Sequence, residues 1–332
     1  MFSLRDGSNL PFRVKELNEK LRKLRTELLL LEVSLDYIHL YDYQSFNTYL
    51  QAQTIDGEGR ITVTNVVFEA TMNGFSIPDG CTKLAFSNCV APPDMSGFFL
   101  KGHPTHGAVP THGLTIADSL DLTGLNMSAV TNISYCFFDI QCKQLIITPT
   151  YPPPNGVILA DAAFTYAVTD SITCGALFGE NTLTMRYAFS GVIGKTVTSP
   201  TIAFTTEMKS SRDNNSQVGV DMYACFHYSQ FSTLDLSKLH FRVYNAGSFF
   251  SITQSYLTTL DMSGMLNNCW DNERFFDRTN LSKLIIQTSW FINDSTNKKI
   301  SIKAANGTIG YLNESSYSSL SIDDSVATIT FR

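Results

Sequence analysis

A core-type aromatic returns along this chain at Phe75, Phe99, Phe138, Phe164, Phe189, Phe226, Phe250 and Phe276, at intervals of 24, 39, 26, 25, 37, 24 and 26 residues. Five of the seven intervals lie within two residues of one another, and a period of that length is the signature of a stacked-repeat architecture. The two long intervals each hold a loop-like run, KGHPTHGAVPTHG at 101–113 and TEMKSSRDNNSQ at 206–217. Surface loops are where a repeat array tolerates insertion.

A strand signal follows each aromatic, with two apolar residues flanking one that points the other way. The pairs are Leu84/Phe86, Leu120/Leu122, Leu145/Ile147, Ile172/Cys174, Ile202/Phe204, Leu234/Leu236, Leu260/Met262 and Leu284/Ile286. The cleanest copy of the unit is MYACFHYSQFSTLDLS, Met222 to Ser237. Each unit is expected to form one coil of a solenoid, contributing one short strand to a parallel sheet and its aromatic to a continuous core. At about 4.8 Å per strand, eight coils stack to roughly 40 Å. The Ser or Thr that often follows the strand can bond backbone groups at the bend.

The segment VTNISYCFF at 130–138, with the strands LDLT, LDLS and LDMS beginning at 120, 234 and 260, resembles the leucine-rich repeats of the BspA-like family. In those repeats a Val-Thr-x-Met-x-x-Met-Phe segment precedes Cys-x-x-Leu-x-x-Leu-Asp-Leu-Ser. The resemblance covers residues 65–290, is sharpest in the third, sixth and seventh units, and is degenerate at LADAAFTYAVTDSITC and MRYAFSG. It implies a mainly β fold, a leucine-rich-repeat β-solenoid serving adhesion or protein contact, with no catalytic machinery of its own.

Ahead of the array, apolar residues fall three and four apart at Val14, Leu17, Leu21, Leu24, Leu28, Leu31, Leu35 and Ile38. This is a heptad seam, predicting a coiled-coil helix over 13–40 that joins copies of the chain. In a parallel dimer Lys20 would face Arg25 and Glu27 would face Glu32, both repulsive, and Leu29, Leu30 and Val33 widen the stripe. The expected assembly is therefore a homotrimer. Residues 1–12 precede the seam as an extended peptide suited to docking on another protein. A joining segment, 41–64, shares with the helix end the aromatic cluster Tyr37, Tyr41, Tyr43, Phe46 and Tyr49, and its ITVTNVVF reads as a strand opening the next domain. The solenoid occupies 65–290, and 291–332 reads as two or three strands capping the last coil.

Charged residues are only 16% of the 332, and the net charge is -6, so no basic footprint for nucleic acid is present. No apolar run reaches the roughly 18 residues of a membrane span, and the opening MFSLRDGSNLPF lacks the order of a signal peptide. Taken from Met1, assembly in a cytoplasm is expected. Seven cysteines without CxxC spacing (Cys81, Cys89, Cys136, Cys142, Cys174, Cys225, Cys269) fit reduced thiols used as small core residues.

His103, His106 and His112 lie close enough in the first insertion to bind a metal, but their spacing matches no zinc pattern, and an exposed loop explains them. Asp121, Asp235 and Asp261 hold equivalent strand positions and read as solvent-facing rungs. No GxSxG, HExxH, P-loop or dinucleotide fingerprint occurs, so no enzyme activity, cofactor or metal is expected. Exposed aromatics, among them Tyr151, Tyr187, Tyr228, Tyr244, Trp270 and Trp290, suit contact with sugars or protein loops. Trp270, Trp290, Tyr228 and Tyr244 are the chosen ligand-binding residues.

A free peptide, an oligomerising helix and a decorated solenoid follow one another as the parts of a phage virion fibre do. The expectation is a structural virion protein, a head or tail fibre assembled in the host cytoplasm. It would attach to a capsid or tail protein through 1–12 and bind a host-surface glycan or protein through the solenoid, without membrane insertion. The alternatives are a cellular BspA-like adhesin or interaction module, and a glycan hydrolase.

Overall fold

An Leu-x-Leu strand buries both leucines only if another strand lies on each side and apolar matter lies beneath. The chain meets both conditions by coiling. The computed structural model describes residue 20 and residues 37–101, 113–209, 219–250, 256–271, 283–286, 300–303, 309–312 and 328–331. The chain divides into two units, Met1–His39 and Leu40–Arg332. The larger is mainly β, a parallel β-solenoid of about seven turns.

On its main face, strands Arg60–Thr64, Lys83–Ser87, Ser119–Asp121, Gln144–Ile147, Ser171–Cys174 and Thr201–Phe204 form one parallel sheet. Their register aligns Ile61, Leu84, Leu120, Leu145, Ile172 and Ile202 in a single inward column. A second parallel sheet continues the pattern through Thr233–Asp235, Thr259–Asp261, Lys283–Ile286 and Thr328–Phe331, aligning Leu234, Leu260, Leu284 and Ile329. The strand signals were thus read correctly from alternation. Beyond them, Ile300–Lys303 and Ile309–Leu312 pair antiparallel, while Thr328–Phe331 extends the parallel sheet.

Asp121, Asp235 and Asp261 have a local task at the strand exits. Their Oδ1 atoms accept the backbone N–H of Thr123 (2.9 Å), Ser237 (3.0 Å) and Ser263 (2.9 Å). Each carboxylate therefore turns the chain out of its strand by bonding two residues ahead. This is the physical content of the Leu-Asp-Leu-Ser pattern.

Inside, the anchor phenylalanines stack face to face. Phe99, Phe137, Phe164, Phe189, Phe226 and Phe250 follow one another with ring centroids 5.3, 5.0, 4.7, 5.2 and 5.6 Å apart and interplanar angles of 5° to 19°. Each such pair adds about 0.5–1.5 kcal/mol beyond area burial. In the third coil the stacked ring is Phe137, one residue before the expected Phe138. The stack takes the ring two residues after a left-handed turn, and that turn falls at Tyr135. Phe138 is buried in a separate small cluster with Leu100 and Ala162. Phe75 is also buried but crosses Phe99 at 68°, and Phe276 lies outside the described residues.

The segment read as a joining piece closes the first coil. Asp42 caps helix Tyr43–Gln51 in a reciprocal box with Ser45, accepting its N–H at 2.7 Å. Phe46 and Leu50 are fully buried, and Phe46 meets Phe68 at 5.1 Å and Phe75 at 4.8 Å. Tyr49 Oη donates to the Thr64 carbonyl (3.3 Å) and accepts its N–H (3.2 Å), covering backbone groups of the edge strand. Of the heptad seam, Val14 to Leu35 lie outside the described residues. Ile38 starts a strand, Ile38–Leu40, rather than ending a helix.

Candidate ligand-binding site

Around the stacked phenylalanines the chain bends through residues of positive φ. These fall in two columns. The first holds Gly97 (63°), Tyr135 (58°), Ala162 (54°), Tyr187 (57°), Ala224 (53°) and Ser248 (55°); the second, four residues on, holds Asp139 (49°), Tyr166 (60°), Gly191 (68°) and Tyr228 (60°). Left-handed backbone costs an L-residue on the order of 1 kcal/mol, and Gly, Asn or Asp are its usual occupants. Four of these sites carry tyrosine instead.

The four alternate between columns, one per coil, each two residues from a stacked phenylalanine. Tyr135 precedes Phe137, Tyr166 follows Phe164, Tyr187 precedes Phe189 and Tyr228 follows Phe226. Backbone bonds tie the columns laterally, with Tyr135 N–H donating to Asp161 O (3.0 Å), Tyr187 N–H to Tyr223 O (3.0 Å) and Tyr166 N–H to Ser190 O (2.8 Å). The alternate sites are small. At Gly191 a Cβ would come within 2.4 Å of Tyr166 Cδ1, so the Tyr166 ring lies where any other side chain would stand. The tyrosines remain exposed at 41, 52, 38 and 47% for 135, 166, 187 and 228. Phe138 supports two of them from beneath, 5.9 Å from Tyr135 and 5.6 Å from Tyr166.

Polar groups border the rings. Tyr187 meets Tyr223 edge-on at 5.5 Å, and the exposed Arg186 places its guanidinium 5.5 Å from the Tyr223 ring. Asp161 Oδ1 accepts Arg186 N–H (3.0 Å) and the Thr184 hydroxyl, and Asp221 Oδ1 accepts Tyr223 N–H (3.1 Å). His227 packs against Tyr228 with centroids 4.0 Å apart. Burial raises the Asp221 pKa, opposed by the Tyr223 N–H and by Arg186. Burial, with Tyr223 beside it, also raises the Tyr187 phenol, and burial lowers His227. Burial thus favours the protonated Tyr187 phenol and the neutral His227 imidazole. Such rings offer flat apolar faces with hydrogen-bonding tips.

Of the chosen ligand residues, only Tyr228 stands in this array. Tyr244 is half-buried in strand Arg242–Asn245, next to Asn245, whose backbone pairs with Asp221. Trp270 belongs to strand Leu266–Asp271, and Trp290 lies outside the described residues. Tyr187 joins the array, whereas Tyr151, 62% exposed, sits on another turn, where its carbonyl accepts Met127 N–H. Tyr135 and Tyr166 are absent from the sequence reading, although a tyrosine stands two residues before or after Phe137, Phe164, Phe189 and Phe226.

His103, His106 and His112 lie outside the described residues. The insertion that bears them rejoins the body at Gly113, whose N–H donates to Asp139 Oδ2 (3.2 Å) and where a Cβ would strike the Phe138 and Asp139 backbone. The first insertion is thus rooted beside the second tyrosine column. The second rejoins at Gly219, directly before strand Val220–Asp221. Among the described residues, no group of three His, Cys, Asp or Glu side chains is placed to hold a metal. Cys81, Cys89, Cys136, Cys142, Cys174 and Cys225 are buried and free, and burial pushes Cys142 up to about 11 and Cys174 to about 12.

The repeat pattern, the stacked core and the turn tyrosines are the chain's own testimony about its kinship, since no family model matches it and neither a curated protein nor a solved structure does.

Proposed function

We propose that this chain is a binding protein of the adhesion type, a BspA-like leucine-rich-repeat solenoid whose turn face displays tyrosines to a ligand on a bacterial surface. The observation that carries this reading is the tyrosine array. Four exposed rings sit on left-handed backbone that smaller residues occupy at lower cost. Side chains kept at such positions against their own backbone preference point to use rather than to stability.

The setting we propose is a virion fibre. The heptad seam from Val14 to Leu35 would gather three chains, and residues 1–12 would attach them to a capsid or tail protein. Trimeric display multiplies weak single-site contacts. Among the described residues no helix is long and apolar enough to cross a membrane. The reading assigns no catalysis to the solenoid: Asp161 and Asp221 hold backbone and hydroxyl donors, as structural carboxylates do.

The test uses the full chain, fluorescently labelled, on a panel of intact bacteria, beside a variant with Tyr135, Tyr166, Tyr187 and Tyr228 all changed to alanine. The expected result is binding to a subset of strains, lost in the variant while its thermal transition persists. Equal binding by the variant would remove the array from the function. Turnover of a surface polymer by the wild-type chain would replace adhesion with hydrolysis.

A further inference from the structure

The array has a direction as well as a chemistry. Its rings step from coil to coil along the solenoid axis, one per coil, and neighbouring parallel strands are about 4.8 Å apart. Tyr135 to Tyr228 therefore covers four consecutive coils, roughly 14 Å from first to last, with the rings alternating between two columns four residues apart in the chain. The resulting ledge is long, narrow and periodic.

Resting on the adhesion reading above, we infer that the ligand of this ledge is an extended polysaccharide lying along the solenoid axis, with one sugar per coil and the tyrosines stacking alternately from either side. Three observations favour a sugar chain over a protein. Among the described residues, seven of the ten large apolar side chains left exposed are tyrosines, and the aliphatic exceptions are Ile38, Leu159 and Val197. A protein interface centres on a dry apolar patch, whereas the array offers separate rings, each with its own hydroxyl. The bordering groups Asp161, Thr184, Arg186 and Asp221 are short or forked hydrogen-bonding side chains at the same coil spacing. They suit the hydroxyls that surround a pyranose ring. Finally, each repeat unit of a polymer can make the same contact on successive coils, which recur about every 4.8 Å. A folded protein partner has no such period.

The inference predicts that affinity depends on chain length and on each ring singly. The experiment starts from bacteria that bind the labelled full chain. Cells are treated separately with periodate, which cleaves vicinal diols, and with protease. Oligosaccharides of two to six sugars, prepared from the surface polysaccharide of those cells, are then titrated against the chain. Expected are loss of binding after periodate, retention after protease, and affinity that climbs with length and levels off near four sugars. Tyr166→Ala and Tyr187→Ala should each weaken the longest oligosaccharide at least about fivefold, Tyr166→Phe should retain most of the affinity, and Tyr151→Ala should change nothing. Loss after protease with retention after periodate would overturn the glycan and leave adhesion standing. Affinity independent of length would overturn the one-sugar-per-coil arrangement. Failure of the chain to bind any cell would remove the adhesion reading and this inference together.

Discussion

The same few residues of each coil build two aromatic arrays, one inside and one outside, and the two obey opposite rules. Inside, Phe137, Phe164, Phe189 and Phe226 stack nearly parallel at 4.7 to 5.2 Å and are inaccessible to water. Outside, Tyr135, Tyr166, Tyr187 and Tyr228 stand two residues away on backbone of positive φ, exposed. The inner rings gain from every neighbour they touch. The outer rings bear a conformational cost and bury only part of themselves. A solenoid makes this division of labour easy, because each coil repeats the inner contact and leaves the outer position free to vary, as Ala162, Gly191, Ala224 and Ser248 do.

The largest expected effect lies at the centre of the inner stack. Phe189 is sandwiched by Phe164 at 4.7 Å and Phe226 at 5.2 Å, so Phe189→Ala should lower stability by about 3–5 kcal/mol. Urea denaturation measures it, and a loss below 1 kcal/mol would mean that the stack is not the core. A smaller effect belongs to the polar cluster just ahead of strand Ser171–Cys174. Asp170 Oδ1 accepts the backbone N–H groups of Lys195 (2.8 Å), Thr196 (2.6 Å) and Val197 (3.2 Å), and Lys195 Nζ reaches back to the carbonyls of Ile116 (2.9 Å) and Ala117 (3.1 Å).

Burial raises the Asp170 pKa, but the donors from Thr196, Val197 and Lys195 outweigh it and hold the group below its ordinary value. The folded pKa is thus the depressed one, so the stabilisation is full above the unfolded value and is lost as pH falls through the folded value. Asp170→Asn should cost about 1–3 kcal/mol at pH 7, and the difference from the wild type should shrink on acidification. A difference that stays constant with pH would assign the effect to packing. The smallest change is expected outside. Tyr135→Asn, which suits left-handed backbone, should leave stability unchanged or raise it by up to about 0.5 kcal/mol. A loss above 2 kcal/mol in thermal unfolding would make that ring part of the core after all.

The strand positions were legible because alternation has a period of two and burial follows from it; Leu84, Leu120, Leu145, Leu234 and Leu260 all proved buried. The choice between Phe137 and Phe138 was not legible, because adjacent phenylalanines look alike until the left-handed turn at Tyr135 sets which one points inward. Helix Tyr43–Gln51 was seen only as an aromatic cluster, although Asp42 and Ser45 spelled out its cap. The ligand-binding residues were the hardest to see. Tyr228 reads as an isolated exposed ring, but it belongs to one series of positive-φ positions with Tyr187 and Tyr166 on other coils, and a linear reading does not align columns whose coils differ in length. The two insertions disturb that alignment most, since they lengthen two of the intervals by more than ten residues each.

The alternation of tyrosine and small residue restricts how such a gene can grow. Duplicating a single coil would place two tyrosines in the same column on adjacent coils, where Gly191 now yields its volume to Tyr166. Duplicating two coils together preserves the phase. Lengthening of the array by unequal recombination is therefore expected to proceed in steps of two coils, and the unit that is inherited is the pair, although the unit that folds is the single turn.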